Sequence, residues 1–241
     1  SNINLDCGAT KPQVCATETL KHQYDAGLSL DGDADRGILC DNTGRILDGD
    51  TILAGLGQAM SQQQKLANNT VVATVMSNLA LETYLKESGV TLLRTQVGDK
   101  YVAQEMRNGN HNLGGEKSGH ILFGAEHGFR GDGLYTLLQV LQAIQSQKSC
   151  LSDFAADYSD FPQILSNFKS TKRCSLEELP CLYAECQRID SELAGRGRTV
   201  VRFSGTEMLL RLMVEADEIE LVEQSLQRLE AAARRDKILA D

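Results

Sequence analysis

Apolar runs in this 241-residue sequence, such as Ile121 to Phe123, are short. A helix crossing a bilayer needs about 20 apolar residues, so a membrane span is excluded from the expectations, and no signal peptide is recognisable. Proline is scarce, with three in the chain, while Leu, Ile and Val recur periodically along nearly all of it. That pattern argues against intrinsic disorder. Positive charge is also in deficit: 24 Lys and Arg stand against 33 Asp and Glu, a formal charge of −9. Nonspecific nucleic-acid binding needs the opposite balance and is not expected. Seven cysteines are present, an odd number with no C-x-x-C pair, and the four histidines fall at no ligand spacing relative to them. This argues against a structural zinc site and for a reducing compartment, and a cytoplasmic protein is expected.

What is present reads as a folded chain of about one and a half domains at roughly 150 residues each. Between Ile3 and Cys40 the pattern offers a helix near Thr17 to Tyr24 and strands at Gly27 to Leu30 and Gly37 to Cys40. So few elements cannot close a core, so the polypeptide is expected to begin partway through a domain. From Asp48 the period alternates between helix and strand. Asp50 is a candidate cap for a helix through Met60, Thr70 to Met76 is a β-branched strand, and Ser77 can cap a helix through Ser88. Strand Thr91 to Val97, helix Asp99 to Arg107, strand His120 to Phe123 and helix Asp132 to Gln145 follow. Alternation of this kind predicts a mostly parallel sheet covered on both faces, with ligands beyond the carboxyl ends of its strands.

A second domain is expected after a short helix and linker at Ser149 to Asp160. Leu176 to Leu193 reads as a helix whose first turn Pro180 makes irregular, Thr199 to Phe203 and Leu209 to Glu215 as adjacent strands, and Ile219 to Ala233 as an amphipathic helix. The expected fold class is therefore α/β: a mostly parallel α/β/α domain (45–155), a small α+β domain (161–241) and a truncated α/β piece (1–44) in front.

Three loops carry chemistry. DGDADR places Asp31, Asp33 and Asp35 at alternate positions just after a strand. Adjacent carboxylates repel one another unless a hard cation neutralises them, which suits magnesium. An acidic turn is the plainer reading, and an aspartyl phosphatase with Asp31 as nucleophile and Asp33 as acid and base is a rival. An EF-hand is excluded, because its sixth position would be Gly and is Arg36, and its twelfth would be Glu and is Asn42.

The second loop is GGEKSGH, Gly114 to His120. Glu116 and Ser118 would point the same way on an extended backbone, where a carboxylate beside a hydroxyl suits vicinal sugar hydroxyls. A phosphate-binding P-loop would need Gly before its Lys, and Glu116 stands there. A glycine-rich turn is the alternative. The third loop, RFSGTE, offers Arg202 as a bidentate fork, hydroxyls from Ser204 and Thr206, and a backbone freed by Gly205, which suits a phosphate cradle as well as an ordinary hairpin turn.

Taken together and in this order, the three loops resemble the metal, sugar and phosphate loops of the α-D-phosphohexomutase family. INLDCGAT, VMSNLALE, VGDKYV, GDGLYTLLQVL and FPQIL are similar to its phosphoglucosamine mutase branch, so the likeness runs from Ile3 to about Glu223. The resemblance implies interconversion of glucosamine 6-phosphate and glucosamine 1-phosphate for UDP-N-acetylglucosamine synthesis, through a phosphoserine and a bisphosphate intermediate. The family's serine loop has no counterpart here, so the chain is expected to hold the end of domain 2 with domains 3 and 4, and to be inactive without the N-terminal domains.

By the same resemblance Asp31, Asp33 and Asp35 bind Mg2+, and Arg36 lies against the transferring phosphoryl group. Glu116 and Ser118 hold sugar hydroxyls, and Arg202, Ser204, Gly205 and Thr206 hold the nonreacting phosphate. Lys100 and His120 are candidates for substrate contact or proton transfer. Ala34 replaces a usual Gly, Met208 a usual Pro, and Arg130 stands where the branch has threonine. A glucose or mannose phosphate mutase, or a noncatalytic sugar-phosphate-binding module, would share the loops.

Overall fold

A computed structural model of the chain describes residues 5–204 and 207–240. The chain divides into two compact units, residues 1–159 and 160–241. In the first, helix α1 (Gln13–His22) precedes a hairpin of β1 (Ala26–Leu30) and β2 (Gly37–Asp41), paired antiparallel from Ala26 opposite Asp41 to Leu30 opposite Gly37. A short β3 (Ile46–Leu47) completes this three-stranded sheet. Helix α1 starts four residues earlier than the periodicity predicts, directly after Pro12, whose fixed φ already suits a helix.

The second sheet of this unit has the order β5-β4-β6-β7. Its elements follow one another as α2 (Gly49–Gln62), β4 (Thr70–Thr74), α3 (Leu79–Glu87), β5 (Thr91–Thr95), α4 (Asp99–Gly109), β6 (Leu113–Gly115), β7 (Ile121–Phe123) and α5 (Gly133–Gln147). β4 pairs parallel with β5 and β6, and only β7 runs antiparallel. Alternation along β4 shows how both faces are covered. Val72 packs with Val102, Ala103 and Met106 of α4, whereas Val71 turns toward the α2 and α3 side, where Gly57 and Leu85 meet it.

Two helix starts differ from the sequence reading. Asp48, not Asp50, caps α2: its backbone is extended and its Oδ1 accepts the Thr51 N–H at 3.0 Å. Asn78, not Ser77, caps α3 by accepting the Ala80 N–H at 2.9 Å. Asp132 caps α5 through the Tyr135 N–H as the pattern predicts.

The second unit is a layer of two helices on an antiparallel sheet with order β8-β10-β9. Its elements are β8 (Gln163–Lys169), α6 (Pro180–Leu193), β9 (Gly197–Phe203), β10 (Leu209–Ala216) and α7 (Ile219–Arg235). A single 3-10 turn at Leu176–Glu178 precedes Pro180, which starts α6 at a position where its missing N–H costs nothing. Leu182, Ile189, Leu193, Val222 and Leu229 of the helices bury against Leu210, Leu212 and Val214 of β10. The odd-numbered residues of β10 therefore face away from the helices.

Candidate functional site

The turn joining β1 to β2 carries the three aspartates. Ala34 adopts φ 63°, in the left-handed region, and its N–H reaches the Asp31 carbonyl at 3.3 Å. The turn thus requires positive φ at a position where Gly would be free of the Cβ penalty and Ala34 is not. The Arg36 N–H donates to Asp31 Oδ1 at 3.2 Å, which folds the turn back on its first carboxylate. As a result, one carboxylate oxygen from each of Asp31, Asp33 and Asp35 lies within 4.8 Å of the others. Burial raises the Asp35 pKa; the His120 charge opposes that, and the Asp31 and Asp33 carboxylates add to it. The Arg36 guanidinium offsets part of the repulsion, with Nε 3.6 Å from Asp31 Oδ2 and 3.9 Å from Asp35 Oδ1. Asp35 Oδ1 is buried without a hydrogen-bond partner among the described residues. Three converging carboxylates and an unsatisfied buried oxygen fit a hard divalent cation.

GGEKSGH forms the β6–β7 hairpin, and its tip is a tight turn rather than extended chain. The Gly119 N–H donates to the Glu116 carbonyl and the Glu116 N–H to the His120 carbonyl, each at 3.0 Å. The two-residue alternation that would place Glu116 and Ser118 on one face does not apply in such a turn. Ser118 is exposed, while Glu116 is half-buried, with its Oε1 accepting the Gly98 N–H at 3.1 Å. Gly119 has φ 91°, and a Cβ there would lie 2.7 Å from the Gly37 carbonyl oxygen.

That close approach joins the two loops: the Gly37 N–H donates to the Gly119 carbonyl at 3.0 Å. The buried His120 ring places Nδ1 3.6 Å from Asp35 Oδ2. Gly131 makes room for the ring, since any Cβ at that position would collide with it. The structure thus brings Asp31, Asp33, Asp35, Arg36, Glu116 and His120 into one region. Lys100 is not tied to it. It is exposed in the first turn of α4, with Nζ 4.7 Å over the Tyr101 ring and no hydrogen bond or ion pair among the described residues.

In the second unit Arg202 lies on β9 and Ser204 just beyond it. Ser204 is buried, its N–H reaches the Leu209 carbonyl at 2.9 Å, and its Oγ accepts the Glu207 N–H at 3.3 Å. Gly205 and Thr206 lie outside the described residues. Sequence reasoning missed Arg211. It stands directly opposite Arg202 in the β9–β10 pairing and opposite Asn167 of β8. Arg211 Nε is buried without a hydrogen-bond partner, and neither arginine has an ion pair among the described residues. Two guanidiniums on neighbouring strands repel one another and suit a bound anion between them. The available signal was an isolated Arg on the outward phase of the apolar strand LLRLMVEA.

The sequence reading also missed the group beneath the sugar loop. Lys117 Nζ is 2.7 Å from Asp48 Oδ2 and 3.4 Å from Oδ2 of the fully buried Asp50. Burial pushes the Asp50 pKa up to about 6, against the Lys117 charge and the Asn78 N–H, which hold it down.

Residues 48–161 match phosphoglucomutase/phosphomannomutase alpha/beta/alpha domain III, and residues 165–232 match the C-terminal domain of the same family. The chain belongs to this family. Among curated relatives, a phosphoglucosamine mutase of Nitratidesulfovibrio vulgaris is 45% identical over 92% of this chain and 49% of its own length. One from Shouchella clausii is 44% identical over 93% and 50%. The chain spans about half the length of the curated relatives it matches. A crystal structure of a family member from Burkholderia thailandensis has a TM-score of 0.77 at 18% identity, covering 95% of this chain and 50% of its own. The Aspergillus fumigatus N-acetylphosphoglucosamine mutase, solved with GlcNAc-6P and magnesium, has a TM-score of 0.73 at 22% identity, covering 95% and 57%. At these identities the structural likeness speaks for the fold. Among the described residues no helix is long and apolar enough to cross a membrane.

Proposed function

We propose that the protein containing this chain is a phosphoglucosamine mutase that interconverts glucosamine 6-phosphate and glucosamine 1-phosphate. The observation that carries this reading is the convergence of Asp31, Asp33 and Asp35 with the hairpin turn holding Glu116 and His120. The relatives named for that activity favour glucosamine phosphates over glucose or mannose phosphates. Residues 1–44 serve as the metal-bearing end of one domain, 45–155 as the sugar-binding domain and 161–241 as the phosphate-binding domain. The phosphoryl donor is a serine supplied by sequence outside these 241 residues.

Asp31, Asp33 and Asp35 hold a magnesium ion, which when bound supplies fixed positive charge against a phosphoryl group. Arg36 adds a guanidinium beside the same carboxylates, so charge developing on the phosphoryl oxygens meets a preorganised donor. Glu116 and Ser118 bind sugar hydroxyls. His120, whose ring lies beside Asp35 and Gly131, is the candidate for holding or moving a hydroxyl proton, and Lys100 is the second candidate, for a substrate contact from α4. In the second unit Arg202, Ser204, Gly205 and Thr206 cradle the phosphate that stays on the sugar, together with Arg211. The reaction serves UDP-N-acetylglucosamine synthesis in the cytoplasm.

The deciding experiment is a coupled mutase assay on the complete protein with glucosamine, glucose and mannose phosphates. Turnover of glucosamine 6-phosphate at the highest kcat/KM supports the reading. Preference for another hexose phosphate, or no turnover with any of them, overturns it.

A further inference from the structure

A lysine in a loop assigned to a phosphosugar would ordinarily be read as a ligand for the phosphate. The geometry around Lys117 points elsewhere. Its ammonium sits 2.7 Å from Asp48 Oδ2 and 3.4 Å from Asp50 Oδ2. Asp48 is already committed on its other oxygen, where Oδ1 accepts both the N–H and the hydroxyl of Thr51 at 3.0 Å and so starts α2. Asp50 has no exposed surface and accepts the Asn78 N–H at 2.8 Å, at the turn that leads from β4 into α3. The backbone is tied down as well, since the Gly49 N–H donates to the Lys117 carbonyl at 3.0 Å. On the other side of the turn, the Glu116 carboxylate takes the Gly98 N–H from the loop after β5.

The loops that follow β4, β5 and β6 therefore meet at one charged centre. We propose that Lys117, Asp48 and Asp50 form a latch that fixes the turn 116–119 against the N-terminus of α2, with Lys117 a positioning residue that acts through this pair and not by touching substrate.

The physical reason is the cost of burying Asp50. A carboxylate with no solvent contact needs a compensating charge, and Lys117 provides the nearest one given by the structure. Removing the ammonium leaves Asp50 to take up a proton or to draw in water, and either change releases the turn that carries Glu116. Burial already pushes the Asp50 pKa to about 6 with the lysine in place. Lys117 also remains about one-third exposed, so its stem lies along the surface while its head is drawn inward.

The substrate half of this proposal rests on the assignment of Glu116 and Ser118 to sugar hydroxyls; the structural half does not. The test uses the 241-residue chain and two readouts. In the ligand-free protein, amide hydrogen exchange at Gly49 and Gly98 reports the latch. Lys117→Met should accelerate both by tenfold or more, and Asp50→Asn, which keeps the volume and removes the charge, should accelerate Gly49. The double variant should exchange less rapidly than Lys117→Met alone, because it no longer buries an unpaired carboxylate. Calorimetric titration with glucosamine 6-phosphate should then show weaker binding in Lys117→Met and partial recovery in the double variant.

Unchanged exchange in Lys117→Met, or a double variant that exchanges no more slowly, overturns the latch. So does a loss of affinity without any change in exchange, which would make Lys117 a direct ligand. If Lys117→Met does not fold, unchanged Gly49 exchange in Asp50→Asn decides against the proposal by itself. Failure of the unaltered protein to bind the phosphosugar would count against the functional reading, while the exchange result would still stand or fall separately.

Discussion

Arg202 and Arg211 face each other across the β9–β10 pair, on the side of the sheet turned away from α6 and α7. Directly opposed residues on adjacent strands hold their Cβ atoms about 5 Å apart, close enough for two like charges to raise the energy of the pair by several tenths of a kcal/mol. The neighbours do not relieve this: no carboxylate among the described residues pairs with either guanidinium, and Asn167 completes the row as a further donor. Two cations side by side at a hairpin mouth, without a carboxylate partner among the described residues, suit a bound anion, the role proposed for them above. In a chain of formal charge −9 such a local concentration of donors matters more than long-range attraction.

Removing either arginine is expected to weaken phosphosugar binding. A hydrogen bond to a charged group contributes about 1.5–3 kcal/mol, so Arg202→Ala and Arg211→Ala should each reduce affinity by roughly tenfold to a hundredfold. Arg202→Lys should recover only part of it, since the ammonium lacks the planar fork. Without ligand the same substitutions should leave thermal stability unchanged or slightly raised, because they relieve repulsion. Calorimetry with glucosamine 6-phosphate measures the first effect and thermal unfolding the second. Unaltered affinity in folded Arg202→Ala and Arg211→Ala proteins would reduce the RFSGTE segment to an ordinary turn.

The aspartate loop should bind magnesium weakly in this chain, since three carboxylates clustered within 4.8 Å supply only half of an octahedral shell if each gives one oxygen. Titration followed by calorimetry, or by relaxation enhancement with manganese as a substitute, should give affinity that is lost in Asp33→Asn. Tight binding that survives Asp33→Asn would show that the cluster is not the site. The same chain should hydrolyse no simple phosphate ester above background, whereas an aspartyl phosphatase would do so and would lose activity in Asp31→Asn.

The long helices were legible in the sequence because their apolar spacing is set by their own burial. Ile219, Val222, Leu226 and Leu229 mark α7 without reference to anything else. β8 was harder. Its inward positions are Ile164, Ser166 and Phe168, and its outward positions include Leu165, so a polar residue inside and an apolar one outside blur the alternation. β6 is Leu-Gly-Gly and has little strand propensity; its parallel pairing with β4 creates it. The three loops could be recognised by composition, but which of Asp48 and Asp50 would cap α2 could not. The two letters are the same, and only the extended backbone at Asp48 separates a cap from a buried carboxylate. Arg211 is not legible in the sequence for a related reason, as its significance lies in what it faces across the sheet.

Two backbone positions in the site should respond in opposite directions. Ala34 holds φ 63°, which costs an L-residue about 1 kcal/mol, so Ala34→Gly should be neutral to mildly stabilising even though it loosens the unfolded chain. Gly119→Ala should be destabilising and should disturb both loops, because the new Cβ meets the Gly37 carbonyl in addition to the positive φ. Chemical denaturation measures both, and amide exchange at Gly37, which donates to the Gly119 carbonyl, should report the loop separation. A stabilised Gly119→Ala protein would contradict the close approach of Gly119 to the Gly37 carbonyl.

Asp50 gives the chain an unusual pH response. Its pKa rises from 3.8 in the unfolded chain to about 6 when folded, so the folded state holds its proton more tightly than the unfolded state does. Stability from this group is therefore greatest below about pH 4 and declines as the pH rises through 4 to 6, by an amount on the order of 3 kcal/mol if the full shift applies. Asp41 acts in the reverse sense. Burial alone would raise its pKa, but the Thr43 hydroxyl and N–H and the Arg45 side chain outweigh burial and lower it, so its contribution is present above the usual carboxylate range and is lost on acidification. The two slopes partly cancel in the unaltered protein, and the informative quantity is a difference. Asp50→Asn keeps the buried shape without a titrating proton, so its stability relative to the unaltered chain should improve steadily between pH 4 and pH 6 and change little above pH 7. Denaturant midpoints for both proteins across that range measure it. Parallel curves would mean that Asp50 titrates alike in the folded and unfolded states, and that Lys117 compensates its burial completely.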